Sequence, residues 1–173
     1  MQSSGISGSP SPQPDPAQER IKLEARAKSG AAWFFWIAAL SAINSIISIA
    51  GGDRVFIFGL GVTQVVDAFA AAFAEELGLG RGSWLGIAAL ALSLLVAGLI
   101  ALIGYLARKG NQIVFLLGMG LYLMDGLLVG VFQDWLGLLF HAVVLIYLVM
   151  GFRALRKLAE SPAMASGGPA SFR

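Results

Sequence analysis

Two apolar runs joined by only two polar residues constrain the fold of this 173-residue chain more than any other feature. The runs cover residues 113–132 and 135–152, and only Gln133 and Asp134 separate them. Each run approaches the roughly 20 residues that an α-helix needs to cross the hydrocarbon core of a bilayer. So short a connection requires antiparallel helices, and positions equally distant from it therefore lie at the same depth.

The overall composition agrees with a membrane environment. Hydrophobic residues make up 57% of the chain and charged residues only 13%, against the roughly 25% charged residues of soluble domains. The basic residues form short clusters that flank apolar runs, a pattern typical of membrane orientation. We therefore expect the lipid bilayer, and no nucleic acid, as a partner. The absence of cysteine excludes disulfides, thiolate metal sites and thiol nucleophiles.

The fold class predicted from these runs is an all-α integral membrane protein, a four-helix transmembrane bundle with an extra outer segment that is amphipathic or re-entrant. The transmembrane domain covers residues 19–160, with a short helical turn at 19–28 and disordered tails at 1–18 and 161–173. The predicted spans are residues 31–50, 84–107, 112–132 and 135–152.

Residues 55–76 are the ambiguous stretch, because their apolar content allows a span while their polar face does not favour one. In a five-span alternative, the basic residues that follow the spans 84–107 and 135–152 lie on the opposite side of the membrane from those that precede the span 31–50. With four spans all of them share one side, as the positive-inside rule requires. The prediction is therefore a non-spanning outer segment at 55–76, both termini cytoplasmic, and a location in the cell inner membrane.

Small residues at helical spacing predict close helix packing. One set repeats every four residues along the second span, and a G-x-x-x-G pair lies in the third span. The packing residues are Ala89, Ser93, Ala97, Ala101, Gly126 and Gly130.

Asp125 and His141 are ionisable residues within apolar runs. They lie nine residues before and seven residues after Asp134, so a rise of about 1.5 Å per residue places both about 10 to 13 Å from the turn. The two side chains are therefore predicted to be able to meet inside the hydrocarbon. An ionisable group at that depth is costly to insert and indicates a function. The alternative is a hydrogen-bonded carboxyl and a core histidine that only stabilise the bundle.

Further polar residues extend this pair into a predicted outward-facing pocket for a ligand, a proton or a cation. Asn44 lies near the outer end of the first span, at a similar depth. The outer segment and the turn are predicted to cover this pocket on its outer side. The full predicted set is Asn44, Gln64, Asp67, Asp125, Asp134 and His141.

No recognisable catalytic or cofactor motif accompanies these residues. No two of the candidate metal ligands share a helix at ligand spacing, so no metal site is predicted. A triad of Ser45, His141 and Asp125 can be drawn, but it lacks a nucleophile motif. The G-x-G-D pattern of intramembrane aspartyl proteases is missing around Asp125. No catalytic residue and no cofactor is therefore predicted.

A series of residues across positions 33–152 resembles small bacterial inner-membrane proteins of uncharacterised activity. The resemblance implies a multi-pass membrane location and no particular activity. The residues that carry it, in chain order, are Asn44, Ser45, Gly51, Gly52, Phe58, Gly59, Leu60, Gly61, Thr63, Gln64, Asp67, Asp125, Asp134, Trp135, Phe140 and His141.

The sequence favours a small non-enzymatic membrane protein that acts through helix contacts with itself, as a homo-oligomer, or with a membrane-protein partner. Four short spans enclose little volume, whereas small-residue seams are abundant. Two alternatives stay open. One is a component of proton- or cation-linked transport, and the other is a membrane enzyme that acts on a lipid or a quinone.

Overall fold

The computed structural model describes residues 15–51, 59–80 and 82–161, and the part of the chain it describes is built from α-helices. Within these ranges, four of the five helices are long and apolar enough to cross a membrane, and α2 is not among them. The protein is thus a helical membrane bundle, as predicted. The helices are α1 (Pro16–Ile49), α2 (Gly61–Glu76), α3 (Trp84–Arg108), α4 (Gln112–Val131) and α5 (Trp135–Glu160).

Helix α1 is one continuous helix of 34 residues. It joins the helical turn predicted at 19–28 to the span predicted at 31–50, and it begins inside the tail predicted at 1–18. The Asp15 carboxylate accepts a hydrogen bond from the backbone N–H of Ala17 at 3.0 Å, and Pro16 occupies the first helical turn. These are ordinary start signals for a helix. The other predicted tail residues, 1–14 and 162–173, lie outside the described residues.

Side-chain caps and left-handed residues produce the two tight turns. In the turn from α4 to α5, Gln133 has a φ of 58° and the Asp134 carboxylate accepts the backbone N–H of Gly137 at 3.0 Å. In the turn from α3 to α4, Gly110 has a φ of 89° and Asn111 caps the backbone N–H of Val114 at 3.1 Å. Both turns reverse the chain within a few residues and fix the helices as antiparallel neighbours.

Helix α1 lies at the centre of the bundle, packed mainly against α3 and α5. It approaches α5 closely at Gly30, where an added Cβ atom would lie 2.5 Å from the Cα atom of Gly151. On the α3 side, a Cβ atom at Gly104 would lie 2.8 Å from the Cβ atom of Phe34. Glycine thus lets the backbones approach closely, as small residues do in membrane helices.

The residues predicted to pack between helices are buried or half-buried. In α3, Ala89, Ser93 and Ala97 are buried and Ala101 packs against the core. In α4, a Cβ atom at Gly126 would meet the ring of His141 at 3.2 Å, and one at Gly130 would lie 3.8 Å from Leu138.

The two ends of the bundle differ in charge. The basic end holds the turn from α3 to α4 with Arg108 and Lys109, together with the start of α1 and the end of α5. The acidic end holds Asp134 and, at the end of α2, Glu75 and Glu76. Helix α2, at 16 residues, is shorter than the roughly 20 residues of a typical span.

Candidate functional site

Asp125 is the centre of the polar site, because its carboxylate joins three helices. Oδ2 accepts the backbone N–H of Gly61 at 2.8 Å, and Oδ1 accepts that of Val62 at 2.9 Å. Oδ2 also lies 2.9 Å from Nε2 of His141 on α5. The side chain therefore caps the N-terminus of α2 from α4 while it contacts α5. Asp125 is 8% exposed and His141 is 2% exposed.

The cap provides hydrogen-bond acceptors for backbone N–H groups of α2, which would destabilise the bundle if they were left unpaired in its apolar part. The first N–H groups of a helix have no partner within the helix, and the N-terminus carries about half a positive charge. A carboxylate is the complement of both. Because α2 starts beside Asp125, about 13 Å along α4 from the turn at Asp134, its N-terminus lies within the apolar part of the bundle. This geometry corresponds to a re-entrant helix.

The partners of His141 determine where its protons lie. Nδ1 is 2.8 Å from the carbonyl oxygen of Gly137, which only accepts, so Nδ1 carries a hydrogen. Nε2 faces a carboxyl oxygen. One proton then lies between Nε2 and Oδ2 in either of two arrangements: an imidazolium with a carboxylate, or a neutral imidazole with a carboxylic acid. The pair holds this proton away from bulk water.

Neighbouring residues shape the space around the pair. The ring of Tyr122 stacks on that of His141 with centroids 4.6 Å apart, and Phe140 meets the same ring edge-on. A Cβ atom at Gly61 would lie 2.5 Å from Cγ2 of Val129, so glycine allows the start of α2 to reach the carboxylate. These contacts hold the imidazole ring in one orientation.

Two hydroxyl groups extend the anchoring of α2. Ser41 on α1 accepts the backbone N–H of Leu60 at 2.8 Å and donates to the carbonyl oxygen of Ile37 at 2.8 Å. Thr63 donates to the carbonyl oxygen of Leu60 at 2.8 Å. Consequently, α1, α4 and α5 all contribute to a single anchor for the first turn of α2.

The remaining predicted pocket residues lie around α2 and do not join the pair in one open cavity. Asp67 accepts a hydrogen bond from Ser93 at 3.0 Å and lines a cavity of about 20 Å³ with Ser45. Gln64 and Asp134 line a separate depression of about 220 Å³. Asn44 is buried at the place where Gly59 approaches α1.

The geometry does not support a hydrolytic triad. Both ring nitrogens of His141 are already engaged, one by Asp125 and one by the carbonyl of Gly137. No nitrogen is left to activate Ser45. Among the described residues, no group of three or more potential ligands could hold a metal ion.

Sequence reasoning identified Asp125 and His141 but missed the third participant, the backbone of α2 at Gly61 and Val62. Backbone N–H groups leave no specific mark in a sequence. The one available signal was the glycine at the start of an apolar, non-spanning segment, where close backbone approach is common.

The fold and the site define a multi-pass helical membrane protein with an internally capped re-entrant helix. Comparison of the chain with protein-family models, with curated proteins and with solved structures finds no match.

Proposed function

We propose that this protein is a small non-enzymatic membrane component that acts through helix contacts with a second copy of itself or with another membrane protein. The outward face of α2 carries the proposal. Phe69, Phe73 and Leu77 follow one another at four-residue intervals and are 60%, 55% and 61% exposed. Such a stripe suits a groove or helix of a partner.

The anchor at Asp125 supports this role because it fixes α2 in place. A helix held through its N-terminus presents the stripe in a defined position, and a preorganised surface loses less freedom on binding. The polar groups of the anchor bond to one another, which favours a structural role for them over a catalytic one.

Photocrosslinking in the native membrane tests the proposal. p-Benzoylphenylalanine at Phe73 keeps an aromatic ring in the stripe, and the same probe at Ile146, 60% exposed on α5, is the matched control. We expect a defined protein adduct from position 73 and a much weaker one from position 146. Equal yields at the two positions would show that the stripe contacts only lipid.

We also propose in which membrane the protein lies and which end of the bundle faces the cytoplasm. The basic end faces the cytoplasm and both termini lie there, because all the basic clusters at the helix ends then obey the positive-inside rule. The host membrane is a bacterial inner membrane, in line with the resemblance described above.

Proton- or cation-linked transport is the second candidate, and the 2.9 Å contact between Nε2 of His141 and Oδ2 of Asp125 is the observation that favours it. Proton relays in membranes are built from such residues. Purified protein in liposomes loaded with a pH-sensitive dye is the test. Proton flux that Asp125→Asn abolishes would favour transport over the contact role, and flux no faster than that of protein-free liposomes would exclude it.

A further inference from the structure

A long groove between α3 and α4 opens on the surface that faces lipid. Its volume is about 660 Å³, and its walls are apolar from end to end except for Asp125. At the basic end Leu106 and Val114 line it, and near the middle of the bilayer Leu60 and Val62 of the α2 region close it. The groove therefore runs from the turn between α3 and α4 to the start of α2.

The length of the groove matches one leaflet of a bilayer. Along α3 the groove runs from Val96 to Leu106, a rise of about 15 Å, which is the thickness of half a hydrocarbon core, and along α4 it runs from Val114 to Leu128, a rise of about 21 Å. A single extended acyl chain that enters at the basic end would end against Leu60 and Val62. At that position its terminal methyl group shields the Asp125 and His141 pair from water.

Two basic residues that do not line the groove lie in the turn at its end. Lys109 and Arg108 are exposed in the turn from α3 to α4. Lys109 follows Leu106 by one helical turn, and its ammonium group lies 4.4 Å from the centroid of the Tyr105 ring. An anionic headgroup at the bilayer surface would lie beside this charge, and basic side chains near the surface attract anionic lipids.

We propose that this groove is a binding site for an anionic glycerophospholipid, with one acyl chain between α3 and α4 and the phosphate at Lys109. The site does not include the α2 stripe, since none of Phe69, Phe73 and Leu77 lines the groove. The bound acyl chain contacts the start of α2 from the side of the basic end and completes the apolar surroundings of the Asp125 anchor.

Native mass spectrometry of detergent-purified protein with equimolar dioleoyl phosphatidylglycerol and dioleoyl phosphatidylcholine tests the site. We expect one retained lipid, with phosphatidylglycerol preferred about fivefold, the contribution that one basic side chain near a membrane surface typically makes. Lys109→Gln should remove the preference and leave retention of both lipids, whereas Lys157→Gln on α5 should keep it. Equal retention of the two lipids by the unaltered protein would overturn the proposal.

Two variants on α4 test whether the acyl chain of the lipid occupies the groove. Leu117 and Leu116 are each 55% exposed, but only Leu117 lines the groove. Leu117→Trp should lower lipid retention at least about fivefold, because the indole takes the place of the chain and its van der Waals contacts. Leu116→Trp should retain lipid as the unaltered protein does, and equal losses in both would contradict the assignment.

Two further measurements keep the result interpretable. Leu99→Trp fills the groove from the α3 wall and should reproduce the loss if Leu117→Trp proves unstable. Glycerophosphoglycerol, the headgroup without chains, should not displace the lipid. Displacement by this soluble headgroup would reduce the site to an anion site at the turn and overturn the assignment of the groove.

Discussion

Asp125 is the residue on which most of the polar contacts depend, and its two kinds of partner make its replacement more costly than that of His141. Asp125→Asn weakens both the contact with His141 and the cap on α2, whereas His141→Gln leaves the cap in place. We expect a larger loss in the free energy of unfolding for Asp125→Asn than for His141→Gln. Titration with a denaturing detergent measures both losses.

The direct contact between the two side chains predicts that their effects are not additive. The double variant should lose less stability than the two single losses together, by about 0.6 kcal/mol and at most about 1.7 kcal/mol, the average and the maximum for hydrogen bonds between membrane helices. Glu76→Gln at the exposed end of α2 is the control and should be additive with either change. Strict additivity of Asp125→Asn and His141→Gln would show that the contact contributes nothing.

Tyr122, unlike Asp125 and His141, is buried with a polar group that has no hydrogen-bond partner among the described residues. This group is its hydroxyl, and the residue is 1% exposed with its ring stacked on His141. A buried polar group without a partner costs about 1 to 3 kcal/mol. Tyr122→Phe should therefore leave stability unchanged or raise it, whereas Tyr122→Leu should lower it through the lost stacking. A lower melting temperature for Tyr122→Phe would reveal a partner for the hydroxyl.

At the scale of the helices, the contact between α1 and α5 depends on a pair of glycines. Because a Cβ atom at Gly151 would lie 2.6 Å from the Cα atom of Gly30, Gly151→Ala must push the two backbones apart. We expect a loss of about 1 to 3 kcal/mol, as for other overpacked contacts. Gly98→Ala on α3, where no atom lies within 4 Å of the added Cβ, should be neutral or stabilising. Equal effects in a thermal denaturation assay in detergent would contradict this packing.

The sequence predicted the helices better than their contacts. Long apolar runs identify α3, α4 and α5 within a residue or two at most ends, because bilayer thickness sets their length. The small-residue seam from Ala89 to Ala101 was visible because its period matches a helix face. The pair of Gly30 and Gly151 was not, since two single glycines 121 positions apart carry no common pattern.

The sequence predicted only the part of the candidate site that lies on α4 and α5, because distance from their shared turn determines how deep a residue lies in the membrane. Similar spacings from Asp134, nine and seven residues, placed Asp125 and His141 near one depth, and the structure joins them at 2.9 Å. The other polar residues lie on α1 and α2, whose rotation about their own axes depends on packing. The sequence therefore could not indicate that Asp67 pairs with Ser93 or that the carboxylate of Asp125 caps α2.

At the scale of the whole molecule, a re-entrant α2 and a spanning α2 predict different sides for the start of α1. With four spans, Gln18 and Ala159 lie on one side of the membrane and Gly80 on the other. With five spans, Gln18 shares its side with Gly80 and lies opposite Ala159. All three positions are exposed, and no atom lies within 4 Å of a Cβ atom added at Gly80, so cysteine is tolerated there.

Single cysteines at these positions therefore report the topology in a chain that has none of its own. In intact cells, a membrane-impermeant maleimide should label Gly80→Cys and should label Gln18→Cys and Ala159→Cys only after the membrane is permeabilised. Labelling of Gln18→Cys and Gly80→Cys from the same side would mean that α2 crosses the bilayer. That result would contradict the arrangement described above, in which α2 starts beside Asp125 in the middle of the bundle and ends with Glu75 and Glu76 at the acidic end.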